Sequence, residues 1–162
     1  MGGRQSGPPV AVPAGPHRRR LDGAISLMQD LRVLLVEDDA DLRALVKRHL
    51  AGRGFQVSEA SAVSEARNLL EQSLPDLILL DINLPDGTGW EVARFARNRG
   101  GGAVPIVVCS SHEPSAADLQ GSGVRGYIPK PFNLRTLSER VDAALAAAGP
   151  DYVPAAPEAD AD

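Results

Sequence analysis

Two short apolar runs that each stop at acid are the strongest constraint on how this chain can fold. Leu31-Arg32-Val33-Leu34-Leu35-Val36 leads straight into Glu37-Asp38-Asp39, and Leu77-Ile78-Leu79-Leu80 ends at Asp81. Runs of this length, rich in Leu, Ile and Val and lacking apolar–polar alternation, read as strands buried on both faces of a parallel sheet. Two more follow: Pro105-Ile106-Val107-Val108-Cys109 ends at Ser110, and Tyr127-Ile128-Pro129 ends at Lys130-Pro131-Phe132. Helical patterns separate the runs, so the order reads as repeated β-α-β units.

Ligands of open parallel sheets sit outside the carboxyl ends of the strands. The acids, the Ser110 hydroxyl and the Lys130 ammonium all occupy strand ends, so they are expected to converge on one crevice. Carboxylates crowded together repel and require a cation, for which Mg²⁺ is suited by its preference for oxygen ligands and retained waters. Carboxylates, a divalent ion, a hydroxyl and a lysine are together what an acyl-phosphate site needs, because metal and lysine offset phosphoryl charge while the hydroxyl can bond a phosphoryl oxygen.

The surplus over one compact domain lies at the two ends. Residues 1–30 are rich in Gly, Pro and Arg without apolar periodicity, and read as a disordered leader. Arg18-Arg19-Arg20 is followed at once by Leu21-Asp22-Gly23 and no apolar stretch, which argues against an export signal. Met28 is an alternative start. Residues 149–162 are Pro/Ala-rich and acidic and read as a disordered tail, leaving 31–148 as the folded domain. A net charge of −4 argues against a general nucleic-acid binder. No run approaches the ~18 apolar residues of a membrane span. The single cysteine, Cys109, excludes an internal disulfide and suits a cytoplasmic location.

Periodicity places a first helix over Ala40 to Ala51, with Leu42, Leu45, Val46, His49 and Leu50 on one face and Asp39 as its N-cap. A strand near Phe55–Glu59 precedes a helix near Ser64–Gln72. A third helix starts after Gly89 and a last spans Leu134–Ala147. Between Ser110 and Lys130, Pro114 opens a helix and Gly121 closes it after barely two turns.

In these pieces the chain resembles the receiver domain of two-component response regulators: Val33 to Asp39, then Asp81-Ile82-Asn83-Leu84-Pro85-Asp86-Gly87-Thr88-Gly89, then Pro105 to Ser110, then Tyr127 to Phe132. The resemblance covers about Leu31 to Ala147. It implies a flavodoxin-like, doubly wound five-stranded α/β fold with strand order 2-1-3-4-5, here with a shortened fourth helix. It implies phosphorylation of Asp81 by a histidine kinase, and a metal site made by Glu37, Asp38, Asp81 and the backbone carbonyl of Asn83. Glu37 departs from the usual Asp by one methylene. Ser110 and Lys130 match the family's phosphoryl-binding hydroxyl and lysine, the latter preceding a cis-type Pro turn. Tyr127 matches the aromatic switch. Asn83 and His112 flank the site, where they would tune phosphoryl lifetime.

The expected function is that of a single-domain regulator that signals by phosphorylation-dependent protein binding and catalyses only its own phosphorylation and dephosphorylation. Its partners would be a sensor kinase or histidine phosphotransfer protein and a downstream protein. The alternative is a phosphorelay intermediate or phosphate sink. A hydrolase of the haloacid-dehalogenase type would want a second carboxylate two residues after the nucleophile, where Asn83 stands.

Overall fold

The computed structural model describes residues 30–100 and 104–147; all of the expected leader but Asp30, the last residue of the expected domain and the expected tail lie outside them. Strand β1 (Arg32–Val36) leads to helix α1 (Ala40–Gly52), β2 (Gln56–Ala60), α2 (Val63–Gln72) and β3 (Leu77–Asp81). Then come α3 (Gly89–Gly100), β4 (Ile106–Ser110), α4 (Ala116–Leu119), β5 (Val124–Pro129) and α5 (Leu134–Ala146). The five strands form one sheet in the order β2-β1-β3-β4-β5, with every neighbouring pair parallel. This is the doubly wound, flavodoxin-like arrangement.

Alternation along each strand divides the core into two layers. Leu34, Val36, Ile78, Leu80, Ile106 and Val108 face Ala66 and Leu70 of α2 and Val92, Ala93 and Ala96 of α3. Val33, Leu35, Leu77, Leu79, Val107 and Cys109 face Val46 and Leu50 of α1 and Leu137, Val141 and Ala144 of α5. Burial on both sides is why the runs show no polar alternation. β3 and β4 are buried at every position, and they hold the middle of the sheet.

Two expectations change. Leu45 does not join the core face of α1; it is 49% exposed. At 3.6 residues per turn it lies ~140° round the helix from Leu50, beyond the stripe that the sheet covers. Helix α4 is shorter than the interval from Pro114 to Gly121 suggests, a single turn with no buried residue. No helix among the described residues is long and apolar enough to cross a membrane.

Candidate functional site

Register sets the site. Val36 of β1 pairs with Leu80 of β3, so the next residues, Glu37 and Asp81, leave the sheet side by side. Asp81 is level with Cys109 of β4, and Ser110 is level with Pro129 of β5, which brings Ser110 and Lys130 to the same edge. Glu37, Asp81 and Ser110 are buried, whereas Asp38 is exposed at the mouth. Glu37, Asp38 and Asp81 each offer a carboxylate oxygen within 4.8 Å of the others.

One ammonium serves two of these acids. Lys130 Nζ donates to Glu37 Oε2 at 2.7 Å and to Asp81 Oδ2 at 3.2 Å. The Lys130–Pro131 peptide is cis, and the Lys130 amide donates to the Ser110 carbonyl at 2.9 Å, tying the loop back to β4. Burial pushes the Glu37 carboxyl up to about 7, with the Asp81 charge adding to the rise and Lys130 opposing it. Burial also pulls on the Lys130 ammonium, but the hydrogen bond and charge of Glu37, with the charge of Asp81, outweigh it and hold its pKa above the usual lysine value. A buried acid pair neutralised by only one lysine is a donor set with spare negative charge, and it fits a divalent cation.

The remaining contacts aim these groups. Asp81 Oδ1 accepts from the Asn83 amide at 3.2 Å, and Glu37 Oε1 accepts from the Asp39 amide at 3.2 Å. Asp39 itself caps α1, accepting from the amides of Asp41 at 3.0 Å and Leu42 at 3.1 Å. Its carboxylate is thus turned toward the helix, as the capping reading required. The Ser110 hydroxyl oxygen accepts from the His112 amide at 3.2 Å, and the Tyr127 hydroxyl donates to the Ser110 carbonyl at 3.1 Å. Gly89 starts α3 against the end of β3: a Cβ there would stand 2.3 Å from the Asp81 carbonyl oxygen, so no larger residue fits without moving the helix.

The model of the response regulator receiver domain matches residues 33–142. The chain belongs to that family. Among curated relatives, the response regulator MprA of Mycobacterium sp. (strain KMS) is 34% identical over 129 residues, covering 78% of this chain and 56% of MprA. The chain therefore spans only about half the length of that relative. Among solved structures, the non-phosphorylated HemR receiver domain of Leptospira biflexa superposes with a TM-score of 0.68 at 32% identity, covering 76% of this chain and 100% of that one. A CheY-like receiver domain protein of Methanospirillum hungatei JF-1 gives a TM-score of 0.68 at 28% identity, covering 73% and 95%.

Receiver domains serve two-component signalling, and the residues singled out from the sequence gather accordingly. Glu37, Asp38, Asp81, Ser110 and Lys130 stand at one end of the sheet. Asn83, in a two-residue ladder just after β3, and His112, on the loop after β4, are exposed beside it, and Tyr127 is half-buried on the edge strand. Cys109 is buried beneath the site, and burial raises its thiol to about 12, so it stays protonated.

Two features were not anticipated. Lys130 lies closer to Glu37 than to Asp81; the extra methylene of Glu is the only signal for this in the sequence. The second is Asp86, whose carboxylate accepts from the amides of Val63 at 2.7 Å and Ser64 at 3.0 Å, capping α2 from the loop after β3. Ala62, at the N-cap position, has no side chain able to do so. That lack of a cap was visible in the sequence, although its remedy was not.

Proposed function

We propose that Asp81 accepts a phosphoryl group from a phosphohistidine and that the resulting aspartyl phosphate changes which protein the domain binds. The observation that carries this reading is the buried Asp81 carboxylate, held at a strand end between the Lys130 ammonium and the acidic pair Glu37–Asp38. Glu37, Asp38, Asp81 and the Asn83 carbonyl would hold Mg²⁺, which when bound supplies positive charge that offsets the repulsion between carboxylate and phosphoryl oxygens. An Asp81 carboxylate oxygen attacks phosphorus in line, the phosphorus–nitrogen bond to the donor imidazole breaks, and the nitrogen keeps the electron pair. Lys130 then exchanges its Asp81 contact for a phosphoryl oxygen. Ser110 turns its hydroxyl from the His112 amide to donate to the same group, and Tyr127, bonded to the Ser110 carbonyl, follows it. Those contacts exist in only one of the two states, so they can shift a two-state equilibrium. Asn83 and His112 flank the route of an attacking water and set the lifetime of the adduct.

The donor is a sensor histidine kinase or a histidine phosphotransfer protein, and the setting is cytoplasmic. The domain turns over no external substrate. Intact mass after incubation with acetyl phosphate and Mg²⁺ tests the chemistry: one phosphoryl adduct is expected, absent in Asp81→Asn and without the metal. An adduct that persists in Asp81→Asn would place the acceptor elsewhere. Transfer of the group from the phosphorylated protein to a histidine partner would move the reading to a phosphorelay intermediate.

A further inference from the structure

Helix α4 is so short that it leaves a groove of about 650 Å³ between itself and α3, within the size range of ligand-binding clefts. Thr88, Trp90, Arg94 and Arg97 line one wall, and Asp118 and Gly121 line the other. Arg94 and Arg97 are exposed and form no ion pair among the described residues. The Arg97 guanidinium lies across the groove, with Nη1 2.8 Å from where a Cβ on Gly121 would stand. The facing carboxylate of Asp118 is already engaged by the amide and hydroxyl of Ser115, at 3.0 and 2.7 Å. The groove therefore sets two arginines and a half-buried indole against a single carboxylate, an excess of positive charge that calls for an acidic peptide.

The chain itself carries such a segment after Ala147. Residues 148–162 carry Asp151, Glu158, Asp160 and Asp162 and no Lys, Arg or His, equal to the chain's entire net charge of −4. They also carry Pro150, Tyr152 and Pro154, which suit packing against an indole face. Arg125 Nη1 donates to the Ala147 carbonyl at 3.2 Å, and only Ser122, Gly123 and Val124 separate Arg125 from Gly121 at the groove's rim. The start of the segment is then roughly 20 Å or less from the rim, by chain length and the reach of an arginine. Its terminal acids, about thirteen residues further on, can extend ~40 Å. A tether of that length gives millimolar effective concentration, so a free acidic ligand would have to displace it.

We propose that the acidic segment 148–162 docks in the α3–α4 groove of its own chain through Arg94 and Arg97. The contact is read in the unphosphorylated chain, so it stands or falls separately from the phosphorylation chemistry.

Paramagnetic broadening tests it in the chain of residues 1–162. Cys109 is the sole native cysteine and is buried, so a nitroxide on Ala159→Cys reports the segment alone. Selective broadening of the amides of Arg94, Arg97, Gly121 and Ser122 is expected. It should vanish in Arg94→Glu/Arg97→Glu, in a variant with the four acids changed to amides, and in about 1 M salt, where the Debye length is ~3 Å. An amide spectrum otherwise unchanged in these variants will show that the fold persists. Broadening confined to residues around Ala147, or indifferent to the charge changes, overturns the proposal. So does broadening between nitroxide-labelled and ¹⁵N-labelled chains in a mixture, which would assign the groove to a second copy.

Discussion

Helices α4 and α5 flank the same edge strand and begin alike, yet they are held differently. Ser115 and Asp118 close a capping box at the start of α4, and Asn133 caps α5 by accepting from the Thr136 amide. Helix α5 then buries Leu137, Val141 and Ala144 against the sheet, whereas α4 offers only the half-buried Leu119 to the core and ends after one turn. A cap satisfies orphan amides but does not anchor a helix; buried side chains do that. The segment from Ser111 to Gly123, before β5 enters the sheet, is therefore less firmly anchored than α5, with the half-buried Leu119 packed against the core. It lies where a change at Ser110 would first be felt.

The largest effect should come from removing the anchor itself. Leu137→Ala is expected to cost ~2–5 kcal/mol, and Leu119→Ala below ~1.5 kcal/mol, read from urea midpoints at unchanged slope. Equal losses would show that α4 is packed as firmly as α5. The caps should separate the helices next. Asn133→Ala should lower global stability by ~0.5–2 kcal/mol. Ser115→Ala should leave the midpoint within ~0.5 kcal/mol while speeding amide exchange at Asp118 and Leu119. The smallest effect concerns acid. Hydrogen bonds from Ser64 and Val63 hold the Asp86 carboxyl below its usual value, and those from Ser115 do the same for Asp118. Each therefore favours the folded state above the ordinary carboxylate range and loses that contribution as pH falls through its lowered native value. Exchange at Val63 and Ser64, and separately at Asp118, should accelerate there. Flat exchange at Val63 and Ser64 across that range would mean that Asp86 does not cap α2.

Much of this architecture was legible because it follows from local pattern. Unbroken apolar runs such as Leu77–Leu80 identify central strands, and their acidic, hydroxyl and basic ends identify the crevice. Other features depend on neighbours that periodicity cannot name. Leu45 fits a helical stripe but falls outside the part that the sheet covers, since the width of that stripe is set by tertiary packing. The preference of Lys130 for Glu37 depends on one methylene of reach across two strands. Asp86 serves Val63 and Ser64 from a loop far along the chain, a contact no local signal encodes. Helix α4 ends at Leu119, its one side chain packed against the core, just ahead of Gly121 in the left-handed region.

The borrowed cap on α2 also bears on the order in which the molecule assembles. A chain emerging from synthesis completes the α2 sequence at Gln72 while Asp86 has yet to appear, so the first-turn amides of Val63 and Ser64 lack that partner in the interval. Only when β3 has entered the sheet and the loop beyond Asp81 has turned back can the helix be closed. The two-residue ladder of Asn83–Leu84 with Gly87–Thr88 makes that return. The end of α2 and the surroundings of the Asp81 carboxylate thus mature together, and a newborn chain does not finish one without the other.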